Sequence, residues 1–432
     1  MSSSKECTVQ DTDSRHPPGT PPTSLPPELE EELQKLHSDF WISKSKLKEI
    51  VQHFRKELQD GLRSDNQSIP MNLTWVPHLP TGQETGQFLT LDLGGTNLRI
   101  CTVTLHGDSP PSPSRSPSHH PKKYTLTQHH SPLPPSLKTS PATHLWSHIA
   151  TSLSSYLSSS PLLTSLSPGE KLPLGFTFSY PTSQSRIDHA VLQRWTKGFD
   201  IPGVEGHDVA AQLREALDRE NLPVELICVV NDTVGALVAS AYIDESTIVG
   251  AIFGTGSNAA YMAHASSIGK LRSTSGTGNL QDGKHDGKMA INCEYGAFDP
   301  NLVVLPRTKF DAEIDKASPR PGQQLFEKMS AGLYLGEIFR LVLLDLTSRR
   351  LLFTSAPPEE TCRNLSTPYT IDTSFLSTLE NDTSQHLTTS RSVFRSVLDL
   401  HASELDIRVS RRIAEMVTIR GARLSACGIA AI

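Results

Sequence analysis

The chain has 432 residues, enough for roughly two or three domains, each with its own core. A formal net charge of −6 argues against the basic surface that nucleic-acid binding requires. No window approaches about eighteen uninterrupted apolar residues, so no membrane-spanning helix is expected, and the opening MSSSKECTVQ lacks the apolar core of a secretory signal.

Met1 to Ser24 is polar and carries Pro17, Pro18, Pro21 and Pro22, so a disordered tail is expected there. Leu29, Leu33, Leu36 and Phe40 fall on one face of a helix. Leu47, Ile50, Val51, Phe54 and Leu58 form a second such face, expected to stop at Gly61. Phe88 to Leu105 is an apolar hairpin. Gly107 to Pro141, with SPPSPSRSPSHHPKK inside it, is expected to be a mobile surface loop. A helix is expected from Leu145 to about Leu157, a buried strand over Leu172–Tyr180 and a helix over His207–Asn221. A strand over Val224–Val230 and a helix over Val234–Tyr242 follow.

A second hairpin, Ile248 to Ala263, repeats the first: apolar strand, glycine- and threonine-rich tip, asparagine, strand. Two halves that each open this way suggest a duplicated α/β domain with a cleft between. Further helices are expected over Gln323–Asp345 and Val409–Ile419, and the apolar stretch Ala422–Ile432 suits a helix as well. Six cysteines (Cys7, Cys101, Cys228, Cys293, Cys362 and Cys427) are scattered without a C-x-x-C pair. They point to reduced thiols, and a cytoplasmic location is expected.

The first hairpin tip reads Asp92-Leu93-Gly94-Gly95-Thr96-Asn97. Bare glycine backbone lets N–H groups approach an anion, Thr96 adds a hydroxyl, and Asp92 suits Mg²⁺ held through water. It is not a Walker A loop, because no lysine follows the glycines and the next element is a strand. An ordinary hairpin turn also uses Gly-Gly. The second tip, Gly254-Thr255-Gly256-Ser257-Asn258, favours a phosphate reading, since two such loops can grip two parts of one polyphosphate.

Asn231-Asp232-Thr233 ends an apolar strand, where α/β folds bind ligands, yet Asp before a helix is also an ordinary cap. Ser179-Tyr180-Pro181 and Trp195-Thr196-Lys197 supply hydroxyl, ammonium and aromatic groups. Glu294 in NCEYGAF and Glu327 in PGQQLFEK, each taken alone, suit solvated or capping roles.

Taken together these segments are not independent. FLTLDLGGTNLR, LGFTFSYPTSQ, LQRWTKGFDIPGVEGHDV, NDTVGALVAS, IFGTGSNAAYM, MAINCEYGAF, VLPRTKFD and RPGQQLFEKMSAG occur in this order. They closely resemble the hexokinase family, and fungal hexokinases more than fungal glucokinases. The resemblance runs from about Leu25 to Ile432, outside the Ser/Pro loop.

The resemblance implies a two-lobed α/β fold of the actin/Hsp70/sugar-kinase (ribonuclease H-like) type around a central cleft. It implies an N-terminal-type domain over 25–243, with a small lobe at about 88–230, and a C-terminal-type domain over 247–432. The implied reaction moves the γ-phosphoryl of Mg-ATP to the 6-hydroxyl of glucose, fructose or mannose. Asp232 is then the general base. Ser179, Thr196, Lys197, Asn231, Asn258, Glu294 and Glu327 match the family's sugar contacts. Asp92, Gly94, Gly95, Thr96, Asn97, Gly254, Thr255 and Gly256 match its phosphate segments, with Arg99 a further candidate and Asp92 the magnesium residue. The implied partners are hexose and ATP; monomer and homodimer both stay open.

Three features depart from the family pattern. The family continues past the equivalent of Ile432 with a strand, a Gly-Asp-Gly-Ser turn and helices that cradle adenosine, which leaves a glucose-binding sensor of weak activity as the alternative function. The Ser/Pro insert is longer than the family's. Ala190 stands for a family glycine, preceded by His189, and Tyr180 for the usual phenylalanine; Ala190 is tolerable only with a negative φ.

Overall fold

A computed structural model describes residues 25–95, 97–107, 123–196, 199–273, 287–355 and 357–432. The expected disordered tail, Thr96, Lys197 and most of the Ser/Pro tract lie outside these residues.

Two sheets organise the chain. The strands, in order, are β1 (Asn72–Leu73), β2 (Thr85–Leu93), β3 (Asn97–His106), β4 (Tyr124–Pro132), β5 (Leu172–Phe178), β6 (Thr182–Arg186), β7 (His189–Leu192), β8 (Val224–Val230), β9 (Val249–Phe253), β10 (Ser257–His264) and β11 (Lys288–Asn292). The first sheet has the order β4-β3-β2-β5-β8, and the second β1-β11-β10-β9. β6 and β7 form a separate ribbon. In the first sheet β5 runs parallel to both β2 and β8, while β3 and β4 are antiparallel additions.

The helices are α1 (Pro27–Phe40), α2 (Lys44–Arg63), α3 (Ala142–Ser158), α4 (Val209–Arg219), α5 (Asp232–Ile243), α6 (Lys309–Ala317), α7 (Leu325–Ser330), α8 (Gly332–Ser348), α9 (Pro358–Asn364), α10 (Thr373–Asn381), α11 (Thr388–Leu398) and α12 (Glu404–Ala431). Among the described residues, no helix is long and apolar enough to cross a membrane.

Alternation decides which faces bury. Leu89, Leu91 and Leu93 of β2 join Leu172, Leu174, Phe176 and Phe178 of β5 in one core with α3 and α4. The second sheet packs Ala259, Met289 and Ile291 against Phe54 of α2 and Leu424 of α12. Its other face meets Val234 and Leu237 of α5, which carries the chain from the first sheet to the second. A third core gathers α1, α6, α8, α10, α11 and α12. The repeat expected from the hairpins is real in outline: β2-β3-β4 and β9-β10-β11 are both antiparallel triplets.

Four expectations need correction. The loop expected over 107–141 contains β4, paired residue by residue with β3, and a short 3-10 turn at Pro135–Thr139. β4 is exposed at all but one position, so no buried face marked it in the sequence. Helix α2 does not stop at Gly61 but runs to Arg63. A Cβ at Gly61 would lie 2.2 Å from the carbonyl of Ile69, so close packing rather than helix ending demands the glycine. The helix expected over 323–345 is broken at Ala331, which is extended at φ −85°, ψ 151°. The two stretches expected at 409–419 and 422–432 form one helix, α12, opened by a capping box between Ser403 and Asp406. Ala190 is buried and is not among the non-glycine residues with positive φ, so its replacement of a glycine carries no backbone strain.

Candidate active site

Parallel pairing brings three strand ends together. Leu93 of β2 lies opposite Phe178 of β5, and Thr177 of β5 opposite Val230 of β8. Asp92 and Gly94, Ser179, and Asn231 with Asp232 therefore line one edge, the carboxyl end of adjacent parallel strands where α/β sheets bind ligands. Ser179 and Asn231 are buried and Asp232 is half-buried.

Asn231 caps α5, accepting the Thr233 amide at 3.0 Å. That leaves Asp232 as the first residue of the helix. Asp232 Oδ1 also accepts the Thr233 amide, at 2.9 Å. The cap position is thus Asn231, and Asp232 shares the Thr233 amide with it.

At the first tip the Gly94 amide donates to the Asn97 carbonyl at 3.1 Å. Arg99 Nη1 lies 2.7 Å from Asp92 Oδ2, with the two residues paired across β2 and β3. Tyr180, standing where the resembled family has phenylalanine, donates its hydroxyl to the Gly94 carbonyl at 3.2 Å. Burial, then the carboxylates of Asp92 and Asp232, push the Tyr180 phenol far up, so it stays a donor at all ordinary pH. Both carboxylates therefore act on one hydroxyl. Behind it Phe178, Trp195 and Phe199 pack around the Tyr180 ring.

The second sheet supplies the facing groups. Asn258, on β10, donates through Nδ2 to Thr233 Oγ1 at 2.9 Å, Asn292 Oδ1 at 2.8 Å and Glu294 Oε1 at 3.2 Å. Its Oδ1 accepts the amides of Ala259 and Glu294 at 2.8 and 2.9 Å. Asn292, the last residue of β11, donates to Glu294 Oε1 at 2.9 Å. Glu294 sits at φ 55°, a left-handed conformation that persists only where the surroundings enforce it. Glu327 of α7 accepts the Ser257 amide at 3.0 Å, at the root of the second glycine tip. That tip closes by a Gly254 amide to Gly256 carbonyl bond of 3.0 Å, with Gly254 and Thr255 exposed.

One network therefore joins the start of α5, which carries Asp232, to Asn258, Asn292 and Glu294. The structure brings Ser179, Asn231 and Asp232 to one strand edge, and Asn258, Glu294 and Glu327 around the second tip. Thr96 and Lys197 lie outside the described residues. Sequence reasoning missed Thr233 and Asn292. Each sits beside a candidate, in NDT and in INCE, but the partner they share, Asn258, is distant from Asn292 and Thr233 in the chain.

The hexokinase family profile matches residues 32–242 and 248–432. This chain belongs to the hexokinase family. It is 45% identical over 412 residues to a hexokinase of Emericella nidulans, covering 95% of this chain and 79% of that one. It is 42% identical over 409 residues to Hexokinase-1 of Saccharomyces cerevisiae, covering 94% and 79%. A hexokinase from Schistosoma mansoni, solved in complex with glucose, superposes with a TM-score of 0.79 at 34% identity, covering 94% and 85%. The two-lobed sugar-kinase fold and the hexokinase enzyme class follow. Sugar phosphorylation is the activity that this membership supports.

Proposed function

We propose that the chain transfers the γ-phosphoryl of ATP to the 6-hydroxyl of glucose, and of fructose and mannose, with Asp232 as general base. The observation that carries this reading is the hydrogen-bonded run Thr233–Asn258–Asn292–Glu294 beside Asp232. It offers paired amide and carboxylate groups, the chemistry that sorts a ring of hydroxyls.

In this reading Ser179, Thr196, Lys197, Asn231, Asn258, Glu294 and Glu327 bind the hexose. A primary alcohol has too high a pKa to be ionised in advance by a carboxylate. Asp232 accepts the proton late, as the bond from oxygen to phosphorus forms. Gly94, Gly95, Thr96 and Asn97 hold one part of the triphosphate, and Gly254, Thr255 and Gly256 another. Arg99 holds Asp92 at the first tip.

Magnesium fits the donor set, because Asp92 is a half-buried carboxylate at the tip that would hold phosphate oxygens. Asp92 would hold the ion through water, and the ion supplies charge neutralisation on the phosphates. Closure of the two lobes over the sugar would exclude water, which is also a hydroxyl and would otherwise accept the phosphoryl group.

The test is product identity. The chain is incubated with Mg-ATP and each of the three hexoses, and the products are examined by phosphorus and proton NMR. Sugar 6-phosphates with stoichiometric ADP are expected. Glucose binding without any phosphorylated sugar would sink the reading and leave a sugar sensor in its place.

A further inference from the structure

Far in sequence from both chain crossings between the sheets, one ion pair joins them. Arg320 Nη2 lies 3.7 Å from Glu205 Oε1. Glu205 belongs to the segment between β7 and α4, on the side of the first sheet. Arg320 belongs to the segment between α6 and α7, on the side of the second.

Neither residue is a loose surface charge at its root. Glu205 Oε1 also accepts the backbone N–H of Trp195, the residue before Thr196. Trp195 is itself buried against Tyr180 and Phe199. The Arg320 carbonyl accepts Lys328 Nζ at 3.0 Å, and the same ammonium holds Asp315 Oδ1 at 2.7 Å and Ser318 Oγ at 2.8 Å. Lys328 and Asp315 are buried, the Gly322 amide adds bonds to both Asp315 oxygens, and Lys328 follows Glu327 directly. One continuous set of contacts thus runs from Glu327 through Lys328 and Arg320 to Glu205 and Trp195.

We propose that Glu205 and Arg320 are positioning residues for the hexose, forming an inter-lobe brace that holds the Trp195–Thr196 segment against the Glu327 segment. The proposal rests on the hexose reading of those two segments. An isolated exposed ion pair contributes little, because ordering two long side chains offsets the attraction. Here the Glu205 carboxylate is already held by the Trp195 amide and the Arg320 backbone by Lys328, so the ordering that remains is that of the Arg320 side chain. The pair spans two bodies, so its free energy acts on the open–closed equilibrium of the lobes rather than on the fold of either. It favours the closed arrangement before any sugar contact is made.

The test uses Glu205→Gln, Arg320→Met and the double variant of the two. Glu205→Gln keeps an oxygen for the Trp195 amide and removes only the charge. In steady-state assays each single variant should raise the hexose KM by about two- to fivefold, with the KM for ATP and the melting temperature unchanged. The double variant should lose no more than either single one, and added salt should weaken the wild type more than the variants. An unchanged hexose KM in both single variants, or losses that add in the double, overturns the brace. Small-angle scattering of the sugar-free proteins gives a second readout that needs no turnover. Both single variants should enlarge the radius of gyration and the double should match them; radii identical to the wild type overturn the brace. A wild type that makes no sugar phosphate sinks the reading of the function, while the scattering comparison still decides the brace.

Discussion

The amide of Gly332 donates to the carbonyl of Gly254 at 2.8 Å, tying the second glycine tip to the break between α7 and α8. A Cβ at Gly332 would lie 2.8 Å from that same carbonyl oxygen, closer than packing allows without a shift. The φ of Gly332 is not positive, so alanine is acceptable to its own backbone and the clash is the whole effect. Gly332→Ala should displace the tip and raise the KM for ATP by about tenfold, with little change in the hexose KM. Equal changes in both constants would contradict the assignment of this tip to phosphate.

Asn292 does not stand among the groups that the proposed mechanism places on the sugar. It holds Asn258 at 2.8 Å and Glu294 at 2.9 Å. Asn292→Ala removes one bond from each side chain, leaving Asn258 on Thr233 and Glu294, at a cost of about 1–3 kcal/mol. Most of that should appear as weaker hexose binding, read by calorimetric titration of glucose, with nucleotide binding untouched.

Arg420 and Asp311 form a buried bidentate pair at 2.7 and 2.7 Å, with the guanidinium 4.7 Å from the Phe40 ring centre. The pair locks α12 to α6 and α1. Removing one partner strands a charge in the core, so Asp311→Ala should lose about 3–5 kcal/mol of stability. Asp311→Leu combined with Arg420→Met should recover much of it. Urea unfolding of the three proteins checks both statements.

Lys270 is buried, its Nζ donates to the Pro70 carbonyl at 2.7 Å, and Asp65 lies 3.9 Å away. Burial pushes its ammonium down to about 8, against a smaller upward pull from Asp65. Between about pH 8 and an unfolded value of about 10.4, the unfolded chain binds the extra proton. Stability contributed at this site therefore rises with pH through that window and is flat below it. Relative to Lys270→Met, the wild type should gain up to about 3 kcal/mol between pH 7.5 and 10.5. A constant difference across that range would contradict the burial argument.

The elements that bury an apolar face were legible in the sequence. α1 shows its stripe at Leu29, Leu33, Leu36 and Phe40, and β2 its alternation at Leu89, Leu91 and Leu93. β4 was not legible, because its backbone ladder to β3 holds it while its side chains face water. The α7–α8 break was hidden for a different reason: the apolar period continues across Ala331, and the carbonyl that takes the Gly332 amide at the break, that of Gly254, lies far upstream. Within the site, residue chemistry alone left Asp232 divided between base and cap. The structure gives the cap to Asn231. Thr233 and Asn292 stayed invisible, since the contact that joins each to the site, Asn258, lies 25 and 34 residues away and no local pattern encodes it.

The most direct test is the rate of hexose-dependent ADP release by the wild type and by Asp232→Asn at saturating Mg-ATP and glucose. The substitution keeps shape and helix position and removes the charge together with the ability to take a proton. Turnover should fall by at least about a hundredfold, with glucose affinity little changed. Wild-type turnover that persists in Asp232→Asn would contradict the account, because another group would then have to accept the proton of the attacking hydroxyl.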